Sequence, residues 1–82
     1  MRQIYNNGMA RNLLGRQIKD LRQSHNDAQY EMASRLGITV SKLSAIECGR
    51  RVATRKDLAK LESAYGMKVV ENELGELTLE KE

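Results

Sequence analysis

Apolar residues recur every three or four positions over the first 66 residues, and every second position near the end of the chain. The longer period is typical of a helix that buries one face, and the shorter period is typical of a strand. Ala10, Leu14, Ile18 and Leu21 form a helical stripe of this kind in the first segment. The pattern predicts four helices, at about residues 9–24, 28–36, 40–48 and 55–65.

Short polar residues predict where these helices begin. Asn26 or Asp27 is expected to cap the second helix, and Thr39 is expected to cap the third. Thr54, followed three residues later by Asp57, resembles a capping box with Asp in place of the usual Glu. This pair therefore predicts the start of the fourth helix.

Residues 67–82 follow a strand pattern. Residues 67–71 are rich in β-branched side chains, residues 76–80 alternate strictly, and residues 72–75 between them have turn chemistry, so we expect a β-hairpin. An isolated two-stranded hairpin is marginal in water. Its apolar side chains would be either the hairpin's own core or, as we favour, a dimer interface in which the tails of two copies pair. These interface residues are Met67, Val69, Leu77 and Leu79.

Residues 29–46 carry the most specific pattern in the chain. Ala33 is small enough for a second helix to cross it closely, and Gly37 adopts a left-handed conformation at little cost where a helix ends. Leu43 and Ile46 are spaced to face back onto the preceding helix. This is the pattern of a helix-turn-helix, whose second helix exposes one face to the DNA major groove. The alternative is two ordinary core helices joined by a tight turn.

The composition favours one small helical domain. A chain of 82 residues is near the lower limit for burying its own core, and it contains no Trp, Phe or Pro. The single cysteine, Cys48, cannot form an internal disulfide, so the expected location is the reducing cytoplasm. No apolar run approaches the ~20 residues that a membrane-spanning helix requires, so we expect no membrane partner.

The net charge of +3 conceals a basic body and an acidic tail. Residues 1–68 contain 13 Lys and Arg against 6 Asp and Glu, whereas residues 69–82 contain one Lys and five Glu. A basic body favours a polyanionic partner, although many small soluble domains are mildly basic. The acidic tail is more typical of a protein contact.

The stretch from about residue 14 to residue 67 resembles the Cro/repressor-type helix-turn-helix family, also called the xenobiotic-response-element family. The resemblance rests on Leu14-Gly15, Ile18, Leu21-Arg22, Gln29, Met32-Ala33, Leu36-Gly37-Ile38-Thr39, Ser41, Leu43-Ser44, Ile46-Glu47, Gly49-Arg50-Arg51 and Leu58. It implies double-stranded DNA as the partner.

The resemblance also implies roles for individual residues. The outward positions of the third helix face base edges in this family, and here they are Val40, Ser41, Ser44 and Ala45. The positions that contact the DNA backbone are occupied by Gln29, Lys42, Arg50 and Arg51. Arg55 adds a further cation beside the third helix. Arg22 and Glu47 match a pair that forms a salt bridge between the first and third helices.

Three features depart from the family pattern. Ala28 and Ala53 stand where the family usually has a hydroxyl residue and a proline, and the fifth helix is replaced by the strand-like tail. The tail is similar to that of members whose C-terminal strands pair across a dimer, and some of those members are antitoxins.

No pattern in the sequence indicates catalysis. The only histidine, His25, has no ligand or catalytic partner near it in the sequence, and we expect it to lie on the surface or to cap a helix. Cys48 is expected to be a plain thiol. We find no metal-ligand spacing, nucleophile triad or phosphate-binding glycine loop, so we expect neither an enzyme nor a cofactor.

The sequence thus predicts a mainly α fold of four to five helices, a repressor-like DNA-binding domain with a C-terminal β-hairpin or strand. Residues 1–66 would form the helix-turn-helix domain, and residues 67–82 would form the dimerisation tail. The expected function is a homodimeric transcriptional regulator, a repressor, that binds a pseudo-palindromic operator. The alternative is an antitoxin that binds a toxin protein and represses its own operon.

Overall fold

Four helices and a hairpin follow one another along the chain. The computed structural model describes residues 2–71 and 73–82, with side chains from residue 13 onward. The helices are α1 (Arg2–Ser24), α2 (Gln29–Leu36), α3 (Val40–Glu47) and α4 (Arg55–Tyr65), and the strands are β1 (Met67–Glu71) and β2 (Leu77–Lys81). The prediction of a mainly α fold with a C-terminal hairpin is confirmed.

The first helix is longer than predicted. It begins at Arg2 instead of near residue 9, and its backbone is helical through residues 6–8, which carry the Asn-Asn-Gly sequence. Glycine costs about 1 kcal/mol relative to alanine inside a helix, which weakens a helix without preventing it. Among the residues that the structure describes, none of the helices has the length and hydrophobicity that spanning a membrane requires.

The predicted cap of α2 is wrong. Ala28 occupies the cap position, and its backbone N–H donates to Glu31 Oε1 at 2.7 Å. Asn26 adopts a left-handed conformation with φ of 58°, which turns the chain between α1 and α2. Asp27 uses its carboxylate elsewhere, since it accepts the hydroxyl hydrogen of Tyr65 at 2.7 Å.

The caps of α3 and α4 agree with the sequence pattern. Thr39 Oγ1 accepts the backbone N–H of Lys42 at 3.1 Å. In the capping box of α4, Asp57 Oδ2 accepts the Thr54 N–H at 3.0 Å and Thr54 Oγ1 accepts the Asp57 N–H at 3.1 Å. Each pair satisfies backbone donors that the first turn of a helix leaves free.

The core is aliphatic, as the composition requires. Met32, Leu43 and Leu61 are almost completely buried at its centre. The other buried apolar residues around them are Leu14, Ile18, Ala33, Leu36, Ile46, Ala53, Leu58 and Tyr65. All four helices contribute to this one cluster.

The hairpin packs against the helices. Its strands are antiparallel, with Val69 opposite Leu79. The four residues predicted as a dimer interface, Met67, Val69, Leu77 and Leu79, are partly buried against the core of their own chain. A single chain therefore supplies the support that the sequence pattern led us to expect from a second copy. Whether these residues also contact another chain stays a prediction.

Side chains from two helices reach the outer edges of the hairpin. The Val69 N–H on β1 donates to Glu62 Oε2 at 2.7 Å, and the Leu79 N–H on β2 donates to Gln17 Oε1 at 3.0 Å. Both donors lie at the middle of their strands. An incoming strand would have to displace Glu62 or Gln17 to pair there.

Candidate nucleic-acid interface

The α2–turn–α3 unit is built on a buried contact between its two helices. Met32 and Ala33 on α2 meet Leu43 and Ile46 on α3, and all four are at least 97 % buried. Gly37 ends α2 with φ of 71°, the left-handed conformation that its sequence position predicts. Because the inner face of α3 is fixed in this way, its opposite face is presented outward.

The outward face of α3 is small and only weakly polar. Val40 is 42 % exposed and Ser41 is exposed, whereas Ser44 and Ala45 are half-buried. The N-terminal turn of α3 is thus the most accessible part of the predicted base-facing surface. Its groups are one apolar side chain and one hydroxyl that both donates and accepts hydrogen bonds.

Glu47 joins three helices at the other end of α3. Its carboxylate accepts hydrogen bonds from Arg22 Nε at 2.8 Å and from Arg22 Nη2 at 3.2 Å. The exposed fractions of the two side chains are 11 % for Arg22 and 3 % for Glu47. The hydrogen bond with Glu47 raises the pKa of Arg22 above its ordinary value. The salt bridge expected between α1 and α3 is therefore present and well shielded.

Gln29 belongs to the same network. Its Nε2 donates to Glu47 Oε1 at 3.0 Å, and its side chain is half-buried at the start of α2. A side-chain amide nitrogen carries two hydrogens, so one remains for another acceptor. Glu47 orients the amide, and a phosphate contact by Gln29 would use the remaining hydrogen.

Lys42 is held more tightly than its predicted role requires. Its ammonium lies 3.0 Å from Asp57 Oδ2, and the exposed fractions of the two side chains are 22 % and 8 %. Burial raises the pKa of Asp57, but hydrogen bonds from Thr54 and Lys42 outweigh burial and hold that pKa below its ordinary value. The sequence pattern predicted the capping box but not this ion pair.

Three exposed arginines lie next to α3 in the chain. Arg50 and Arg51 follow α3, and their backbone N–H groups both donate to the Ala45 carbonyl, at 2.9 and 3.2 Å. This folds the loop back over the end of α3. Arg55 is exposed at the start of α4. None of the ion pairs found among the described residues involves these three arginines.

A second polar cluster was missed by the sequence analysis. Asp27 Oδ2 accepts hydrogen bonds from Arg35 Nη1 at 2.6 Å and from the Tyr65 hydroxyl at 2.7 Å. The His25 ring packs edge-on against Tyr65, with centroids 5.1 Å apart. Burial, with the hydrogen bond to Asp27, raises the pKa of Tyr65. The cluster ties the α1–α2 turn to α2 and α4, and it gives His25 a structural contact.

The remaining chemistry of the described residues is sparse. Cys48 is a free, exposed thiol at the C-terminal cap of α3. Within the part of the chain that the structure describes, no three His, Cys, Asp or Glu side chains come together as a metal site.

A comparison with known families identifies the class of this protein. A family model described as a helix-turn-helix domain matches residues 13–74, which is well over half of the chain. The chain belongs to this helix-turn-helix family, which confirms the resemblance to Cro/repressor-type proteins, and it is a DNA-binding protein of that class. A comparison with curated proteins returned no match.

Proposed function

We propose that this protein is a transcriptional repressor that binds a pseudo-palindromic operator as a homodimer. One observation carries the proposal. The helix α3 is fixed by a buried underside and exposes Val40 and Ser41 at its start. The loop folded over its other end carries the exposed Arg50 and Arg51. Such a helix enters the major groove, while cations beside it bind phosphates.

The exposed face of α3 would recognise bases only modestly. Val40 offers an apolar contact that is best suited to a thymine methyl group, and Ser41 hydrogen-bonds several bases. Ser44 and Ala45 add little because they are small and half-buried. Sequence preference would therefore depend partly on the shape of the DNA.

Affinity would come mainly from the DNA backbone. Arg50, Arg51 and Arg55 are exposed and displace counterions when they bind phosphates, which makes binding strongly salt-dependent. Gln29 would add a neutral donor at the start of α2. Occupation of an operator is sufficient for repression, whereas activation requires a further protein contact.

Dimerisation is proposed because a two-fold axis matches a pseudo-palindrome. Two α3 helices would lie about one DNA turn apart, ~34 Å. The hairpin is the proposed contact between the copies. Val69 and Leu77 line a groove of about 540 Å³ between α4 and the hairpin, so they are reachable from outside.

An antitoxin is the second candidate function, and the same groove favours it. Leu58, Val69 and Leu77 contribute apolar surface to the groove, and its lining also contains the charged residues Arg55, Glu62 and Glu71. A segment of a toxin protein that carries both apolar and charged side chains would cover it. The two candidates share the DNA-binding surface and differ in the protein partner. A toxin-like reading frame beside the gene, whose product co-purifies as a stoichiometric complex, would favour the antitoxin.

The test of DNA binding is selection of duplexes from a randomised library by the purified protein. We expect an enriched, two-fold related sequence. Ser41→Ala or Val40→Ala should then change the preferred half-site. Arg50→Ala should weaken binding to all duplexes alike and reduce the salt slope by about one unit.

The matched control is Lys68→Ala, which removes an exposed cation from the hairpin. We expect it to leave both the affinity and the salt slope nearly unchanged. A library from which nothing is enriched, together with a salt slope that Arg50→Ala does not change, would contradict the proposed function.

A further inference from the structure

Lys42 and Asp57 join the first turn of α3 to the first turn of α4. The Lys42 ammonium and Asp57 Oδ2 are 3.0 Å apart, and little of either side chain is exposed. The same carboxylate oxygen accepts the Thr54 N–H in the capping box of α4. The backbone N–H of Lys42 is in turn bound to Thr39. The two helix starts are therefore linked through capped and charged groups.

We propose that Lys42 is a positioning residue that sets the orientation of α3 through Asp57, and that it does not bind DNA phosphate. The role rests on the proposed DNA-binding function. Val40 and Ser41 are the most exposed groups on the outward face of α3, and they immediately precede Lys42 in the chain. Fixing Lys42 to α4 therefore fixes the turn that carries them.

The ion pair complements the contact at the other end of α3. Glu47, at the last position of α3, is bound to Arg22 on α1 at 2.8 Å. Lys42 connects the beginning of α3 to α4. Helix α3 is therefore held at one end by a charged group on α1 and at the other end by a charged group on α4.

A phosphate contact by Lys42 would have to break this arrangement. The ammonium would leave a carboxylate whose side chain is 8 % exposed, so Asp57 would lose its cationic partner close to an anionic duplex. Arg50, Arg51 and Arg55 are exposed and need no such rearrangement. The phosphate contacts are therefore assigned to the arginines.

The first test needs no DNA. The Asp57 carboxylate is titrated by NMR in the wild-type protein and in Lys42→Met, which keeps most of the side-chain length without the charge. We expect the Asp57 titration to move to higher pH in Lys42→Met and to return towards the wild-type position in Lys42→Arg. An unchanged titration in Lys42→Met would overturn the pairing.

The second test uses the duplex selected by the wild-type protein and a scrambled duplex. Lys42→Met and Asp57→Asn should each reduce the preference for the selected duplex several-fold, with an unchanged salt slope. The double variant should keep at least the duplex preference of whichever single variant has the lower preference, because both changes break the same contact. Lys42→Arg should restore most of the preference. Each variant is measured at a temperature where its circular dichroism shows it to be folded.

If Lys42 instead binds a DNA phosphate, Lys42→Met and Asp57→Asn should change DNA binding in opposite directions. Lys42→Met would then reduce the salt slope by about one unit. Asp57→Asn would strengthen binding, because it frees the ammonium and removes a negative charge near the DNA. That pair of results would overturn the positioning role. If no duplex is selected, the proposed function fails and this role with it, while the titration still decides whether Lys42 and Asp57 are paired.

Discussion

Gly15 marks a very close approach between α1 and α3. A Cβ atom at this position would lie 2.3 Å from the Ile46 carbonyl oxygen and 3.1 Å from that of Glu47. Both neighbours are backbone atoms, so relief would require α3 to move as a unit. The sequence places a glycine inside a helix here, and the structure shows the steric reason.

Gly15→Ala should therefore destabilise the protein, by roughly 1–3 kcal/mol as for other overpacked sites. The sign is informative, because alanine normally stabilises the interior of a helix relative to glycine by roughly 0.5–1 kcal/mol. Urea unfolding would measure the difference, with Arg16→Ala at the exposed neighbouring position as the control. A stabilised Gly15→Ala variant would show that the two helices are not in contact.

Glu47 is the residue on which the α1–α2–α3 network depends. Glu47→Ala leaves Arg22 without its carboxylate and Gln29 without its acceptor. We expect a loss of roughly 3 kcal/mol, near the lower end for one partner of a buried pair, since Arg22 keeps some contact with solvent. Thermal unfolding should show a clearly lower midpoint than Glu82→Ala, which removes an exposed carboxylate. Equal midpoints would refute a structural role for the pair.

At the level of elements, helix α4 is stabilised by a carboxylate that must stay ionised. The pKa of Asp57 is lower in the folded protein than its ordinary value of 3.8. The folded state therefore binds the proton less readily than the unfolded state. The resulting stability is present above pH 3.8 and is lost as the pH falls through the folded pKa.

Asp57→Asn should thus make the free energy of unfolding depend less on pH in the acidic range. The free energy of unfolding of the wild-type protein should exceed that of Asp57→Asn near neutral pH, and the difference should shrink below about pH 3.8. Urea unfolding at several pH values measures it, with Asp20→Asn, an exposed position on α1, as the control. A difference that stays constant with pH would contradict the ionised pairing.

At the scale of the whole molecule, the hairpin is part of one folded unit with the helices. Glu62 from α4 and Gln17 from α1 bind the central N–H groups of its two edges. Glu62→Ala should accelerate hydrogen exchange at the Val69 amide, because that N–H loses its acceptor. Glu80→Ala, an exposed change on β2, should leave the Val69 amide unaffected. If the Val69 amide exchanges at the same rate in both variants, the Glu62 side chain does not protect this edge of the hairpin.

The hydrogen bonds to Glu62 and Gln17 restrict how two hairpins could pair in the proposed homodimer. Direct pairing of two hairpin edges would have to displace Glu62 or Gln17 at the middle of a strand. Contact through Val69 and Leu77 in the groove beside α4, which Glu62 also lines, would need no new pairing of strand edges. We therefore place the proposed dimer contact in the groove and not along a strand edge.

Features set by neighbouring residues were predictable from the sequence. The cap at Thr39, the capping box of Thr54 and Asp57, and the alternation in the hairpin each depend on a few adjacent positions. The buried pattern of α2 and α3 was predictable because it repeats with the helical period. These features gave the fold class and the exposed face of α3.

Contacts between distant residues were not predictable in this way. Tyr65 meets Asp27 across 38 positions, and Leu79 meets Gln17 across 62. Polar side chains carry no periodic signal that identifies such partners, so the local sequence predicts only a helix cap for Asp27. Arg22 and Glu47, 25 positions apart, were found only because the family resemblance matched both residues.

We propose that DNA binds the outward face of α3. The most direct test is a set of amide NMR spectra recorded while the selected duplex is added to the protein. We predict that the largest changes fall on residues 40–45, on Gln29 and on the loop at residues 50–51, with the hairpin strands little affected. Changes centred on the groove between α4 and the hairpin, with α3 unperturbed, would show that DNA does not bind through α3.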